Sequence, residues 1–334
     1  MTTIKDLAKM ANVSVATVSR VINKSGYVSP ELTRRVDQAI AESGYEVNAL
    51  ARSLKTAKTH TIGLIIADIS NPFFTSVIGG VEDIAYKHGY NLILCNTDEN
   101  LEKEKLYLQV LRGKMVDGLI ISPALRKANE LRELLERHLN VVFMDRRIDG
   151  VPEALCVRAD NLRGARMAVD YLLELGHREV ALVGGPFEVT SGLERHEGYV
   201  AALREAGIEP RPELMKMGDF RKEGAYRSTL ELLQLKNRPT ALFVANNLMT
   251  IGSLLAIRDM GFSIPDDISI IGFDDMDWTV LANPPLTTVA QPTYEMGVTA
   301  MELLIRQMHK EKIDQKEILL SPELRVRESC KKIA

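Results

Sequence analysis

Polar and aromatic side chains follow the short apolar segments that recur along the chain after residue 60. If these segments are strands of parallel sheets, their carboxyl ends are where a ligand is expected to bind. The side chains concerned are Asp68, Asn71 and Phe73 after the first segment, Asp145 and Arg146 after the fourth, Phe220, Asn246 and Asp274 after later ones, and Arg195 near a glycine-proline turn. Carboxylates and amides can bind adjacent hydroxyl groups, and an aromatic ring can cover the apolar side of a sugar ring. These residue types therefore predict a site for a polyol.

Several of these residues have a second interpretation that the sequence leaves open. An aspartate at the end of a strand often caps the helix that follows. Arg146 either faces the ligand, where its guanidinium would favour a carboxylate or phosphate, or forms a solvated pair with Arg147. Phe73 and Phe74 are adjacent, so we expect only one of them to face a cleft and the other to lie in the core.

The sequence contains none of the common catalytic motifs. There is no GxSxG, GxxxxGK[ST] or HExxH pattern and no zinc-ligand spacing, and the six histidines are scattered. Asp274 and Asp275 could form a carboxylate pair, but side chains of adjacent residues usually point apart. We therefore expect no catalytic residue, no metal site and no cofactor, which disfavours an enzyme.

The N-terminal residues predict short helices. An apolar helical repeat over residues 4–11 is interrupted at Asn12, and Ser14 can cap a second helix that runs to about Asn23. Two short helices joined by a three-residue turn fit a helix-turn-helix. A third helix starts at Ser29-Pro30, a cap followed by a proline in the first turn. The second helix would expose four side chains: Val15, Ala16, Ser19 and Arg20.

Charge is distributed unevenly along the chain, although its net value is only −3. Residues 1–60 hold nine Lys or Arg against five Asp or Glu, so this part is basic and the remainder is acidic. A basic head suits a polyanionic partner, unless the imbalance arose by chance.

The three cysteines lie far apart, and the polar N-terminus lacks the apolar core of an export signal. No uncharged run approaches the roughly eighteen apolar residues of a membrane span, so we expect a cytoplasmic protein with no membrane partner.

From Thr61 onward, short apolar runs alternate with amphipathic helical stretches. The runs are Ile62–Ala67, Leu92–Cys95, Gly118–Ile121, Val141–Met144, Val180–Val183, Ala241–Ala245 and Ile268–Phe273. The helices predicted between them span about 73–88, 101–114, 128–138, 161–175, 193–206, 222–235, 247–260 and 293–310. Apolar strands separated by helices indicate parallel sheets covered on both faces, and there are too many strands for one sheet. We expect two doubly wound lobes, as in periplasmic binding proteins.

These patterns divide the chain into three parts. Residues 1–46 form an all-α helix-turn-helix head, 47–60 a hinge helix and linker, and 61–334 a bilobed α/β body for effector binding and dimerisation. Within the body, lobe one takes about 61–160 plus 292–320, and lobe two takes about 161–291 plus 321–334. The segment 48–54 spans only about two helical turns, so we expect it to be helical only when it is packed against something.

Ten short segments spread along the chain match one known family in the same order. They are Thr3–Ala8, Val13–Asn23, Asn48–Leu54, Ile62–Ile65, Asn71–Phe74, Val116–Gly118, Gly176–Arg178, Arg238–Ala241, Ile271–Asp274 and Pro285–Pro292. With these segments the sequence resembles the lactose-repressor and purine-repressor family over essentially its whole length. The resemblance implies a sequence-specific transcriptional regulator, most often a repressor of carbohydrate-utilisation genes.

At the DNA end, the resemblance implies that Val15, Ala16 and Arg20 enter the major groove, where Arg20 can fork onto a guanine edge. It also implies that hinge segments from two subunits enter the minor groove and that Leu54 wedges into a base step, unless Leu54 only packs at the domain junction. Two further residues are expected at phosphates or groove edges: Asn23 and Arg52. The expected partner is palindromic double-stranded operator DNA, and the expected assembly is a homodimer.

In the body, the resemblance implies an effector cleft between the lobes. The expected lining is Asp145, Arg195, Phe220, Asn246 and Asp274, with Phe73 or Phe74 as a cap. Val189 stands where the purine-binding members would have an arginine, so we expect a sugar or sugar acid rather than a nucleobase. A transport binding protein would share the bilobed body but would have no use for residues 1–58.

Overall fold

The computed structural model describes residues 2–23, 25–44, 58–127, 131 and 139–333. The chain forms two compact units, Met1–Thr59 and His60–Ala334. The predicted hinge helix at 48–54, with Arg52 and Leu54, lies outside the described residues. So does all but one residue of the helix predicted over 128–138.

The first unit contains helices α1 (Ile4–Met10), α2 (Val15–Asn23) and α3 (Pro30–Ser43). The predicted start signals are confirmed: Ser14 Oγ accepts a hydrogen bond from the Thr17 N–H at 3.1 Å, and Ser29 Oγ accepts one from the Leu32 N–H at 3.5 Å. Asn12 has a φ of 49° in the turn between α1 and α2, a left-handed conformation that asparagine adopts more readily than most residues.

The three helices share one small core, in which Leu7, Val18 and Val36 are fully buried. Arg35 of α3 donates two hydrogen bonds into the turn between α1 and α2, to Ala11 O at 2.6 Å and Asn12 O at 2.8 Å. Because α3 holds both the core and the turn, the orientation of α2 against α1 is fixed.

The second unit contains two six-stranded sheets. The first sheet has the strand order β11-β5-β4-β3-β1-β2, and its strands are β1 (Thr61–Ile66), β2 (Asn91–Asn96), β3 (Gly118–Ile121), β4 (Val141–Met144), β5 (Leu155–Ala159) and β11 (Glu317–Leu320). Its described helices are α4 (Pro72–Lys87), α5 (Leu101–Gly113) and α10 (Thr293–Met308). All described pairs in this sheet are parallel.

The second sheet repeats this arrangement with the order β12-β10-β9-β8-β6-β7. Its strands are β6 (Val180–Gly184), β7 (Met215–Met217), β8 (Ala241–Val244), β9 (Ser269–Phe273), β10 (Thr287–Ala290) and β12 (Glu323–Arg325). Its helices are α6 (Asn161–Glu174), α7 (Thr190–Glu205), α8 (Lys222–Leu233) and α9 (Asn247–Asp259). Only β12 runs antiparallel to its neighbour among the described strands. We call the layers around the first and second sheets lobe one and lobe two.

The expected pair of doubly wound lobes is confirmed, and the chain crosses between them three times. The crossings follow β5, β10 and β11. Five strands were not among the predicted apolar runs: β5, β7, β10, β11 and β12. Three of the five, β7, β11 and β12, lie at sheet edges and are partly exposed, so their sequences lack a continuous apolar run. Helix α7 begins at Thr190, three residues before the predicted start.

Close helix contacts in lobe one depend on glycine. A Cβ on Gly80 of α4 would lie 2.2 Å from Tyr294 O of α10, and a Cβ on Gly297 would lie 2.1 Å from Val77 O. The two helices therefore approach backbone to backbone beside the sheet. No helix among the described residues is both long and apolar enough to cross a membrane.

Candidate functional site

A cleft of about 420 Å³, including the part open to solvent, lies between the carboxyl ends of the two sheets. Its lining consists of Asp68, Asn71, Phe73, Phe74, Glu99, Asp145, Arg146, Ser191, Arg195, Phe220, Arg221, Asn246, Asp274 and Gln291. Every effector residue predicted from the sequence lies in this lining. The placement follows the general rule for doubly wound sheets, in which ligands bind beyond the carboxyl ends of the strands.

Four of the lining residues, Glu99 among them, have an unusual backbone conformation. Asp145, Phe220 and Asp274 have φ values of 64°, 55° and 77°, in the left-handed region that non-glycine residues seldom occupy. Asp145 N–H donates to Val157 O and Asp274 N–H donates to Val289 O, each at 2.9 Å, so neighbouring strands hold both turns. Each turn directs a side chain into the cleft at some conformational cost, which is a common feature of binding sites.

Arg146 is buried on the cleft wall and carries a bidentate ion pair. Its Nη1 and Nη2 donate to the two carboxylate oxygens of Glu99 at 2.7 and 2.6 Å, and its Nε lies 3.3 Å from Asp145 Oδ2. Burial opposes the charge, but Glu99 and Asp145 hold the pKa of Arg146 above its ordinary value. Arg147 is exposed instead. The interpretation of these arginines as a solvated pair is therefore wrong for Arg146.

Arg195 lies in the middle of the cleft. Its Nε donates to Asn161 Oδ1 at 2.9 Å, its Nη1 donates to Ala245 O at 2.6 Å, and its guanidinium lies 3.8 Å from the ring centroid of Phe273. Burial lowers the pKa of Arg195, while Asp274 and Asp145 act in the opposite direction. The arginine is thus rigidly held, with its charge beside the carboxylates that face the cavity.

Burial also affects the acid on the opposite wall. It raises the pKa of the Asp145 carboxyl, and Arg146 and Arg195 act against that rise. The two guanidinium groups therefore favour the ionised form of this buried carboxyl, while burial favours the neutral form.

Asp274 is the centre of an amide network. Its Oδ1 accepts from Gln291 Nε2 at 2.5 Å, and its Oδ2 accepts from Asn247 Nδ2 at 3.0 Å. The same Asn247 amide donates to Asn71 Oδ1 of lobe one at 2.8 Å. Asn246 has a structural role as well, because its Oδ1 caps α9 by accepting from the Met249 N–H at 2.8 Å.

Aromatic rings form the apolar walls. Phe73 and Phe74 are both lining residues, with ring centroids 4.9 Å apart and planes at 87°. The expectation that only one of the two rings faces a ligand stays a prediction. Both side chains also belong to the lobe-one core, where the edge-to-face arrangement is a favourable packing of two rings. Phe220 faces them from lobe two, 5.7 Å below the Arg146 guanidinium.

Four lining residues were missed by the sequence reasoning: Glu99, Ser191, Arg221 and Gln291. Gln291 directly follows β10, a strand that the apolar-run pattern did not predict. Ser191 lies in the first turn of α7, which starts earlier than expected. Glu99 follows β2 and Arg221 follows β7, so a search of every strand end would have found both.

Arg221 connects the two lobes beside the cleft. Its Nη2 donates to Asp98 Oδ1 at 2.7 Å, and its Nη1 donates to Asp68 Oδ2 at 3.3 Å. Asp68 and Asp98 belong to lobe one and Arg221 to lobe two, so this ion pair holds the lobes together without a ligand.

The first unit presents a separate surface on α2. Val15, Ala16 and Arg20 are exposed and Ser19 is half-buried, while Val18 faces the core. Asn23 is also exposed, and its Nδ2 donates to Ser19 O at 2.8 Å, which closes the end of its own helix. The five residues of α2 that were predicted to contact DNA therefore all retain solvent exposure: Val15, Ala16, Ser19, Arg20 and Asn23.

Two family descriptions match this chain. "Bacterial regulatory proteins, lacI family" matches residues 3–48, and "Periplasmic binding protein-like domain" matches residues 169–330. The ribose operon repressor of Halalkalibacterium halodurans is 40% identical over 332 residues, which cover 99% of this chain and 98% of that protein. The HTH-type transcriptional repressor PurR of Edwardsiella ictaluri is 40% identical over 333 residues, which cover 98% of this chain and 97% of that protein.

Solved structures are similar to this chain as well, over its body in one case and over nearly its whole length in another. A regulator from Enterococcus faecium with bound ribose has a TM-score of 0.73 at 33% identity, covering 82% of this chain and all of that one. The lac repressor dimer bound to operator and an anti-inducer has a TM-score of 0.87 at 27% identity, covering 98% and 99%. With a head of the lacI type, a two-lobed body and full-length relatives, this chain belongs to the lacI family of bacterial regulatory proteins.

Proposed function

We propose that this protein is a homodimeric repressor that binds palindromic operator DNA through α2 and releases it when D-ribose fills the cleft. One observation carries the choice of ligand: the cleft combines buried carboxylates and amides with three phenylalanine rings, among them Phe220. Carboxylate and amide oxygens accept hydrogen bonds from sugar hydroxyls, and the rings cover the apolar faces of a small sugar ring. The proposal includes no catalytic step, and it places the protein in the bacterial cytoplasm with its operator.

The names of relatives favour ribose among neutral sugars. One curated relative is a ribose operon repressor, and one similar structure contains ribose. A purine base is the rival ligand, since a purine repressor is equally similar to this chain. Val189 argues against a purine ligand, because its side chain cannot form a hydrogen bond and is buried in the lobe-two core.

On the DNA side, the proposal assigns base contacts to the exposed face of α2. Arg20 can donate two hydrogen bonds to a guanine in the major groove, which is worth about 1–3 kcal/mol of discrimination between bases. Val15 and Ala16 offer small apolar groups to thymine methyls. A homodimer would place two such helices on the two halves of a palindrome.

Selection of duplexes from a random library by the full-length protein would test the whole scheme. We expect an enriched palindrome, bound less tightly when D-ribose is added and unaffected by guanine. Arg20→Ala should lower affinity for that palindrome by about tenfold or more and flatten its base preference at one position per half-site. Lys9→Ala is the matched control. Lys9 is exposed on α1, so this substitution also removes one positive charge, but outside the exposed face of α2.

The outcomes separate the parts of the proposal. If no palindrome is enriched with or without sugar, the repressor function is wrong. If guanine and not ribose changes operator affinity, the DNA function stands and the ligand is a purine. If ribose tightens binding, the direction of control is reversed.

A further inference from the structure

We propose that Glu99 is a specificity-determining residue that makes the cleft accept an uncharged sugar and reject the corresponding sugar acid or sugar phosphate. This inference rests on the proposed function, since it concerns the ligand of the same cleft. It concerns a residue that the sequence reasoning missed, and it opposes the expectation that Arg146 favours a carboxylate or phosphate on the ligand.

The geometry of Arg146 is the first argument. A guanidinium recognises a carboxylate or phosphate through two parallel N–H donors. In this cleft those donors are already used, because Nη1 and Nη2 of Arg146 donate to the two oxygens of Glu99 at 2.7 and 2.6 Å. Nη1 also donates to Pro123 O at 3.1 Å. An anionic ligand would have to displace an internal carboxylate that makes the same bonds.

The other two arginines of the cleft are also engaged. Arg195 donates to Asn161 Oδ1 and Ala245 O, and Arg221 donates to Asp98 and Asp68. Arg146 and Arg221 therefore have both of their Nη groups engaged by carboxylates, and Arg195 has its Nε and Nη1 engaged. The lining holds four carboxylates against three guanidinium groups, so an added negative charge meets a net excess of like charge. Like charges inside a site of low dielectric are costly.

Glu99 is held in place by its backbone. It has a φ of 57°, and its N–H donates to Ala67 O at 3.0 Å at the end of β1. Its side chain keeps 24% of its exposure, whereas that of Arg146 keeps 4%. Glu99 therefore reaches the buried arginine from the loop after β2 and neutralises it before a ligand arrives.

The consequence for sensing concerns phosphoryl transfer. A sugar entering metabolism is commonly converted to a phosphate ester by a kinase-type reaction, which adds negative charge and leaves most hydroxyls unchanged. A cleft that rejects anions reports the free sugar and ignores the phosphorylated product. Glu99 would provide this discrimination with one carboxylate.

Isothermal titration of the full-length protein with D-ribose, D-ribonate and D-ribose 5-phosphate tests the inference. We expect wild-type protein to bind each anion at least about 100-fold more weakly than ribose. Glu99→Gln and Glu99→Ala should each strengthen ribonate binding by about tenfold or more, which corresponds to about 1.4 kcal/mol. Glu102→Gln is the matched control: Glu102 is 81% exposed, lies in the first turn of α5 and forms a surface ion pair with Lys105.

Each result has a definite meaning. Wild-type affinity for ribonate within tenfold of that for ribose overturns the inference without any variant. So does a folded Glu99 variant with no gain in anion binding over Glu102→Gln. If wild-type protein binds no ribose, the proposed ligand is wrong, and Glu99 is then judged by the gain in ribonate binding alone.

Discussion

The guanidinium of Arg221 and the carboxylate of Asp98 meet at 2.7 Å across the gap between the lobes, beside the cleft. Both side chains are partly exposed, at 38% and 47%, so this ion pair is accessible to water and salt. It can hold the cleft closed, yet it breaks at a modest cost when a ligand enters or leaves.

Loss of this ion pair should accelerate ligand release. For Arg221→Gln we expect the dissociation rate of the bound sugar to rise several-fold, because one contact that favours the closed cleft is removed. Stopped-flow fluorescence would measure the rate, and Lys222→Gln is the control, since Lys222 forms an exposed ion pair with its neighbour Glu223 at 3.8 Å. Equal rates in the wild type and in Arg221→Gln would show that the pair does not control opening.

Arg195 should be indispensable for sugar binding. Arg195→Met removes a buried donor that bonds Asn161 and lies over the Phe273 ring, and it removes a cation that interacts with Asp274 and Asp145. We expect sugar affinity to fall by about 100-fold or more, with operator binding kept but no longer responsive to sugar. Titration calorimetry and operator anisotropy would measure the two properties.

The control for this change is Arg204→Met on the same helix, whose side chain is 64% exposed and far from any ligand contact described above. Sugar affinity of Arg195→Met within threefold of the control would remove Arg195 from the site.

Two adjacent glycines of α4 should respond to alanine with opposite signs. A Cβ on Gly80 would lie 2.2 Å from the backbone oxygen of Tyr294, whereas a Cβ on Gly79 meets nothing within 4 Å. Gly80→Ala should lower the free energy of unfolding by about 1–3 kcal/mol or more through overpacking. Gly79→Ala should raise it by about 0.5–1 kcal/mol, as expected inside a helix. Urea denaturation followed by circular dichroism would measure both, and a shared sign would contradict the close helix contact.

Asp275 should contribute stability that depends on pH. Burial alone would raise the pKa of Asp275, but hydrogen bonds from Arg327, Thr288 and Thr279 hold it well below its ordinary value. A carboxyl with a lowered folded pKa stabilises the protein above its unfolded pKa of about 3.9, and this contribution disappears as the pH falls through the folded value.

We therefore expect Asp275→Asn to cost about 3 kcal/mol near pH 7, because it leaves Arg327 with a neutral partner, and the difference from wild type to shrink below about pH 4. Thermal midpoints measured between pH 3 and pH 7 would show this trend. Asp277→Asn, at a neighbouring exposed position, is the control. A difference that stays constant down to pH 3 would mean that the charge of Asp275 is not the cause.

The sequence was most informative where one pattern determines the structure. The apolar runs located the central strands of both sheets, and the rule about strand ends then led to Asp145, Asn246 and Asp274. It was less informative where tertiary contacts decide. β10 contains Thr287 and Thr288, which are fully buried but polar, so it did not resemble a core strand. The partnership of Glu99 with Arg146 spans 47 positions and cannot be inferred from spacing along a chain.

Adjacent residues can also serve different purposes. Asp274 and Asp275 were expected to point apart, and in the structure Asp274 lines the cleft while Asp275 binds the C-terminal Arg327. One residue thus belongs to the wall of the cleft, and the next belongs to an ion pair with Arg327.

The three crossings between the lobes bear on how the protein is made. Lobe one receives α10 and the strand β11 from residues 293–320, and lobe two receives β12 only after that. A ribosome must therefore synthesise nearly the whole body before either sheet can be completed. A premature stop codon at any position before β11 would leave both lobes incomplete. The truncated product should therefore not fold into a partly active protein and should be degraded by proteases.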